Sequence, residues 1–227
     1  MIDKADNISK EKTDKPQRTN NPELTKSDIL QVATEEFAAY GFAGARVDAI
    51  AAKTKTTKRA IYYYFGSKEG LYIAVLEKAY SGIRDIESNM HLKELDAEQA
   101  VRKLVDFTID YQDANPNFIR IVSIENIHFG KYVKESEGIR TMNARIIETT
   151  EAILMRGYKS GAFHNPMDPI DLHMMISAFS FFRVSNRHTF GAIFGRDLGA
   201  PEIREKHKKM IADMIIDFLK KPAASAV

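Results

Sequence analysis

Apolar residues recur every three or four positions over most of the chain, and that period predicts helices. In "KSDILQVATEEFAAYG", Ile29, Ala33 and Phe37 stand at i, i+4 and i+8 with Leu30 beside them, and Gly41 follows as a stop signal. "VDAIAAKT" reads as a short second helix with Val47, Ile50 and Ala51 on one side. "KTT" leaves room only for a tight connection. Thr57 suits the N-cap of a third helix, "KRAIYYYF", which buries Ile61 and Phe65 and ends at Gly66. Ser67 caps a fourth helix and places Glu69 in its first turn, where the helix dipole favours an acid.

About five more helices follow. Asp96 with Gln99 resembles a capping box and opens a helix to Asn115. Asn115-Pro116 breaks it, and the next runs to about His128. Another spans about Ile139 to Lys159 and is closed by Gly161. Asp168 at the N-cap and Pro169 at the first helical position start a helix read as continuous through Phe190. The last runs from Pro201 to near Leu219. With no strand-period segment and no internal repeat, the pattern predicts an all-α fold. Residues 1–24 are polar and read as a disordered tail, followed by units at 25–75 and 76–227.

Composition adds mainly exclusions. The 227 residues are 44% apolar and 28% charged, ordinary for a globular chain, and include no Cys, so disulfides and thiolate metal sites are ruled out. No apolar run approaches the roughly 20 residues that span a bilayer. The first residues lack the apolar core of a secretory signal. These points predict a cytoplasmic protein without membrane association. The six His residues show no H-E-x-x-H spacing, and neither a glycine-rich phosphate loop nor G-x-S-x-G occurs. No metal, cofactor or catalytic role is expected, and an α-helical enzyme is a distant alternative.

Charge is informative in its distribution. The chain carries only +2 overall. Yet Arg46, Lys53, Lys55, Lys58, Arg59 and Lys68 cluster between positions 44 and 68 against the single acid Asp48. A local basic patch on a near-neutral chain is the footprint of a polyanion, or else a solvated helix face. Helix, tight turn and basic helix together make a helix-turn-helix, whose second helix enters the DNA major groove by its N-terminal residues, here Thr56, Thr57, Lys58 and Arg59. Arg and Lys can pair with guanine O6 and N7.

The segment "VDAIAAKTKTTKRAIYYYFGSKEGL" resembles the DNA-binding region of the tetracycline-repressor (TetR) family of bacterial transcriptional regulators. The matching positions are Phe37, Gly41, Ile50-Ala51, Tyr62, Tyr64, Phe65 and Ser67-Lys68-Glu69. The resemblance implies a three-helix DNA-binding domain followed by a larger helical ligand-binding and dimerisation domain. It also implies that Tyr62 and Tyr63 reach phosphates and thymine methyls, and that Tyr64 and Lys68 hold backbone phosphate; the alternative for Tyr62 is packing in the small core. Two positions depart from the family pattern. Arg46 replaces the usual Thr or Ser cap, leaving either a weaker cap or a phosphate contact, and Lys55 replaces a turn Gly, with strain if positive φ is required.

The implied partners are a palindromic double-stranded DNA operator, a second copy of the chain and a small-molecule effector. The helix from Asp168 is apolar nearly all round, so it is buried on more than one side. Its Ala178 and Phe181, with Met210, Met214 and Phe218 of the last helix, are the expected dimer face. Candidate effector-pocket residues are Phe107, Tyr111, Ile124, Glu125, His128, Met142, Met175, Phe179, Phe182 and Arg183, which suggest a largely apolar compound. The polar groups on these faces have a bland alternative: Glu125 and Arg183, or Asn126 and Asn186, satisfy each other or sit at the dimer interface. An activator, a ligand-independent regulator and a non-specific DNA-binding protein are the alternative functions.

Overall fold

A computed structural model describes residues 22–222. They form ten α-helices: α1 (Pro22–Gly44), α2 (Val47–Lys53), α3 (Lys58–Phe65), α4 (Lys68–Ser88), α5 (Ala97–Ala114), α6 (Pro116–Ile127), α7 (Glu137–Ser160), α8 (Pro169–Ser185), α9 (Arg187–Phe194) and α10 (Pro201–Lys220). Two short 3-10 turns, Leu92–Glu94 and Val133–Glu135, complete the regular structure, and there is no strand among the described residues. The fold is all-α.

The expected caps form. Thr57 Oγ accepts from the Ala60 N–H at 3.1 Å, Ser67 from Gly70 at 3.0 Å, Asp96 from Gln99 at 2.8 Å and Asp168 from Ile170 at 2.7 Å. Each satisfies one of the amide donors that a helix start leaves without an internal partner. Three boundaries differ from the sequence reading. Residues 22–24, assigned to the tail, form the first turn of α1; the rest of that tail lies outside the described residues. Gly41 does not end α1 but kinks it, with φ 69° and ψ 176°, before one further turn. The helix from Asp168 is not continuous through Phe190: it closes at Asn186, and a separate helix, α9, starts at Arg187, so helices after α4 number six among the described residues.

Two cores organise the molecule. Ile29, Phe37, Ile50, Ile61, Leu71 and Tyr72 fill the N-terminal one. Leu104, Ile109, Ile153, Leu172, Ile176 and Ile215 lie in the C-terminal one, which joins α5, α7, α8 and α10. The N-terminal core also takes Ile121, Tyr132 and Ile139 from later in the chain, so the first helices are packed onto the rest of the protein. Helix α4 runs unbroken across position 75/76, with Leu71, Tyr72, Val75 and Leu76 in the first core and Ile83 and Glu87 buried further along.

Candidate DNA-binding face and cavity

The candidate recognition surface is built by α2, the turn and α3. Thr54 ends α2 by donating its hydroxyl to Ile50 O at 2.9 Å, and the Thr56 N–H returns to Ala51 O at 3.0 Å. Between them Lys55 adopts φ 53°, the left-handed region where a Cβ is disfavoured. The Lys55 departure from glycine therefore has a structural consequence: the lysine carries the strain of a positive φ.

Arg46 makes no side-chain cap. Its backbone N–H instead donates to Oε1 of Glu36, at 3.3 Å, and Glu36 Oε2 holds Lys53 Nζ at 3.1 Å. A buried carboxylate from α1 thus braces α2 at the missing cap, and the Arg46 guanidinium is left on the exposed surface. Lys58 pairs with Asp48 at 3.2 Å, both well exposed, so the pair is worth only ~0–1 kcal/mol. Arg59 is exposed.

The three tyrosines divide. Tyr63 is 83% exposed, while Tyr62 and Tyr64 are half-buried against the N-terminal core. The Tyr63 and Tyr64 rings meet edge to face at 5.4 Å, which orients the exposed ring. Lys68 Nζ lies over the Phe42 ring at 4.9 Å, near Ala43 O at 3.4 Å, at the start of α4. The face thus presents Arg46, Thr57, Lys58, Arg59 and Tyr63 outward, with Thr56 and Lys68 half-exposed.

The second feature is a solvent-open cavity of about 760 Å³ lined by α4, α5, α6, α7 and α8, within the size range of small-molecule sites. Its apolar wall includes Ile83, Phe118, Val122, Ile139, Met174 and Phe181. Its polar groups include Arg84, Glu87, Gln112, Asn126, Arg140, Asn143, His173 and Ser177. Arg84 pairs with Glu87 and donates Nε to Asn143 Oδ1 at 3.1 Å. Burial pushes the Glu87 carboxyl up, against the pull of Arg84. Burial first, then the Arg84 charge, pushes His173 down to about 4, so its ring is neutral near pH 7.

None of the ten residues proposed from sequence for the pocket lines this cavity. Glu125 is buried, and its Oε1 accepts the N–H groups of Tyr132 at 2.6 Å and Val133 at 3.1 Å; it builds the loop after α6. Arg183 is buried too, but its partner is Asp113 at 3.0 Å rather than Glu125. It also donates to Leu198 O at 2.8 Å and to His207 Nδ1 at 2.5 Å. Burial and the Arg183 charge hold His207 low, consistent with a neutral ring accepting that bond. Ile124 and His128 line a separate cleft of about 700 Å³ between the end of α1 and α6. Tyr111 lines a smaller one of about 360 Å³. Phe107 and Phe179 pack on the C-terminal core and Met142 on the N-terminal one, while Met175 and Phe182 are exposed.

Two residues expected in the dimer face, Ala178 and Phe181, line the cavity instead. Met210, Met214 and Phe218 stand exposed at i, i+4 and i+8 along α10, at 37%, 58% and 42%, and Met175 and Phe182 of α8 are exposed as well. The cavity residues missed from sequence follow a rule visible in hindsight: Phe118, Val122 and Asn126 on α6, and His173, Ser177 and Phe181 on α8, share one helical face each. On α8 the face chosen from sequence was rotated one residue, about 100°, away.

A basic helix presented by a helix-turn-helix, joined by one continuous helix to a cavity-bearing helical domain, defines a DNA-binding regulator. The chain belongs to the TetR family: residues 29–75 match "Bacterial regulatory proteins, tetR family" and residues 98–215 match "Tetracyclin repressor-like, C-terminal domain". It is 32% identical over 204 residues to the HTH-type transcriptional repressor NicS of Pseudomonas putida, covering 90% of this chain and 96% of that protein. It is 31% identical over 202 residues to the HTH-type transcriptional repressor SCO4008 of Streptomyces coelicolor, covering 87% and 97%. A solved structure of the regulator SCO4942 from Streptomyces coelicolor shares the fold, with a TM-score of 0.66 at 23% identity over 84% of this chain and 97% of that one. Among the described residues no helix is long and apolar enough to cross a membrane and no acid–histidine cluster could hold a metal.

Proposed function

We propose that this protein is a homodimeric transcriptional repressor that leaves a palindromic operator when a small molecule fills the α4–α8 cavity. Residues 25–75 act as the DNA-binding unit and 76–227 as the effector-binding and dimerisation unit, in the cytoplasm. The observation that carries the reading is α4. Its first half packs Leu71, Tyr72 and Val75 into the core of the DNA-binding helices, and its second half places Tyr80, Ile83, Arg84 and Glu87 on the cavity wall. A ligand that pushes on the second half moves the first as a rigid lever. Two recognition helices must sit one DNA turn apart, roughly 34–36 Å, so a small tilt in each subunit breaks the match. The repressor names of the NicS and SCO4008 relatives support the sign of regulation.

The dimer follows from operator geometry and from the exposed stripe of Met210, Met214 and Phe218 with Met175 and Phe182. Arg59 reads a base edge, Tyr63 and Lys68 hold the backbone, and Lys58 trades Asp48 for phosphate. The test is a footprint on fragments selected from the source genome, with wild type and Arg59→Ala. The expected result is protection of a palindrome, with Arg59→Ala costing roughly 1–3 kcal/mol and relaxing one symmetric pair of positions. Protection without sequence preference would favour a non-specific DNA-binding protein. Higher transcription from the protected promoter with the protein present would favour an activator.

A further inference from the structure

The amide of Gln112 singles out one side of the cavity. The residue is 5% exposed and lies on the cavity wall, and its buried Oε1 accepts no hydrogen bond from the described residues. A buried acceptor without a donor is costly, and the residue that carries it lines the cavity. The neighbouring polar groups are committed: Thr108 Oγ donates to Leu104 O at 2.7 Å, Asn143 Nδ2 to Ile139 O at 2.8 Å, and Asn126 Nδ2 to Val122 O at 2.9 Å.

Charge supplies a second, independent constraint. Two guanidiniums, Arg84 and Arg140, line the cavity against one carboxylate, Glu87. Arg84 is spent partly on Glu87 and Asn143, whereas Arg140 is exposed at the rim and has no ion-pair partner among the described residues. The neutral His173 ring adds no charge at neutral pH. The wall therefore carries a net positive charge around a largely apolar interior.

We infer that the ligand of this cavity is a small organic anion with an apolar, ring-bearing body, whose N–H or O–H group donates to Gln112 and whose anionic group lies towards Arg84 and Arg140. The inference rests on the effector-pocket reading and narrows it from an apolar compound to an amphiphilic acid. Phe118, edge to face with Tyr80 at 5.5 Å, and Phe181 offer surfaces for the ring.

The test is calorimetric titration of the purified full chain, without DNA, against two probe sets. One is 4-hydroxycinnamate, its 4-methoxy analogue and its carboxamide. The other is indole-3-acetate, its N-methyl analogue and its carboxamide. Each anionic donor probe should bind about tenfold more tightly than its methylated or uncharged counterpart, the factor that one hydrogen bond to an otherwise unsatisfied buried group supplies. Gln112→Leu, with Gln112→Met as a second variant should Leu perturb folding, should erase the donor-versus-methyl difference and keep the carboxylate preference. Arg140→Gln should do the reverse. Equal binding of methylated or uncharged probes, uniform loss of all probes in Gln112→Leu, or no saturable binding by either anion at millimolar concentration overturns the inference. Since no DNA is present, failure of operator binding leaves the result intact. Anion binding that does not alter operator affinity would sink the effector reading while the cavity chemistry stands.

Discussion

Replacing Asp113 by Asn tests how α5 holds α8 and α9 in place. Asp113 is nearly buried, with its side chain 6% exposed, and each carboxylate oxygen accepts from a different arginine: Arg183 Nη2 at 3.0 Å and Arg187 Nη2 at 2.8 Å. Arg183 is 2% exposed and Arg187 is 27% exposed. The Asn side chain fills the same space but turns one acceptor into a donor, facing a guanidinium that is also a donor. Arg183 would then sit inside the protein with no carboxylate, and neutral His207 cannot compensate it. Breaking a buried pair this way costs about 3–5 kcal/mol. For a chain of this size each kcal/mol lowers Tm by roughly 2–4 °C, so Asp113→Asn should lose about 6–20 °C. Arg183→Met removes the charge itself and leaves Asp113 paired with Arg187, so it should cost less. The double variant should be more stable than Asp113→Asn, because the second change deletes the uncompensated charge. Urea and thermal unfolding followed by circular dichroism read all three. A double variant less stable than Asp113→Asn, or a single-variant cost below about 1 kcal/mol, would show that the uncompensated Arg183 charge is not what destabilises the protein.

Met214→Arg, at an exposed position on α10, should leave the helical circular dichroism intact, yet place an unpaired charge in the proposed seam; sedimentation at micromolar concentration should report monomer, and a dimer would put the interface elsewhere. Lys55→Gly should stabilise the protein by about 0.5–1 kcal/mol in urea unfolding, since glycine relieves the positive φ but loosens the unfolded chain; destabilisation would show that the lysine side chain has a contact the strain argument ignores. His173 is held near 4 against an ordinary 6.5, so as pH falls through that window the unfolded chain takes up the proton first and stability declines. His173→Gln should flatten that part of the pH–stability curve relative to wild type, and an unchanged slope would remove His173 as the cause.

Much of the architecture was legible in the chain. Capping residues Thr57, Ser67, Asp96 and Asp168 and the breaks at Gly66, Asn115-Pro116 and Gly161 mark helix ends by local chemistry that needs no tertiary partner. The basic turn and recognition helix were legible for the same reason: a DNA-contacting helix presents its residues to solvent, so sequence spacing alone sets their geometry. The break at Asn186 was not legible. Apolar residues continue past it, and α9 is tied down by the pairing of Arg187 with Asp113, 74 positions earlier.

The cavity and the division of the tyrosines belonged to the tertiary structure. Periodicity shows that a helix face is buried but not whether it meets core, cavity or another subunit, because all three select the same apolar side chains. On α8, Met175, Phe179 and Phe182 read as a pocket wall, yet helix packing turned His173, Ser177 and Phe181 to the cavity and left Met175 and Phe182 exposed. Likewise Glu125 and Arg183 looked like natural partners, and each is satisfied by a different part of the chain, Glu125 by backbone amides seven and eight residues on and Arg183 by α5. The sequence determined the helices, their caps and the exposed basic face, all set by interactions within a few residues. Which faces meet, where the packing leaves a void and which buried charges pair depend on contacts distant in sequence, and only the assembled helices settle them.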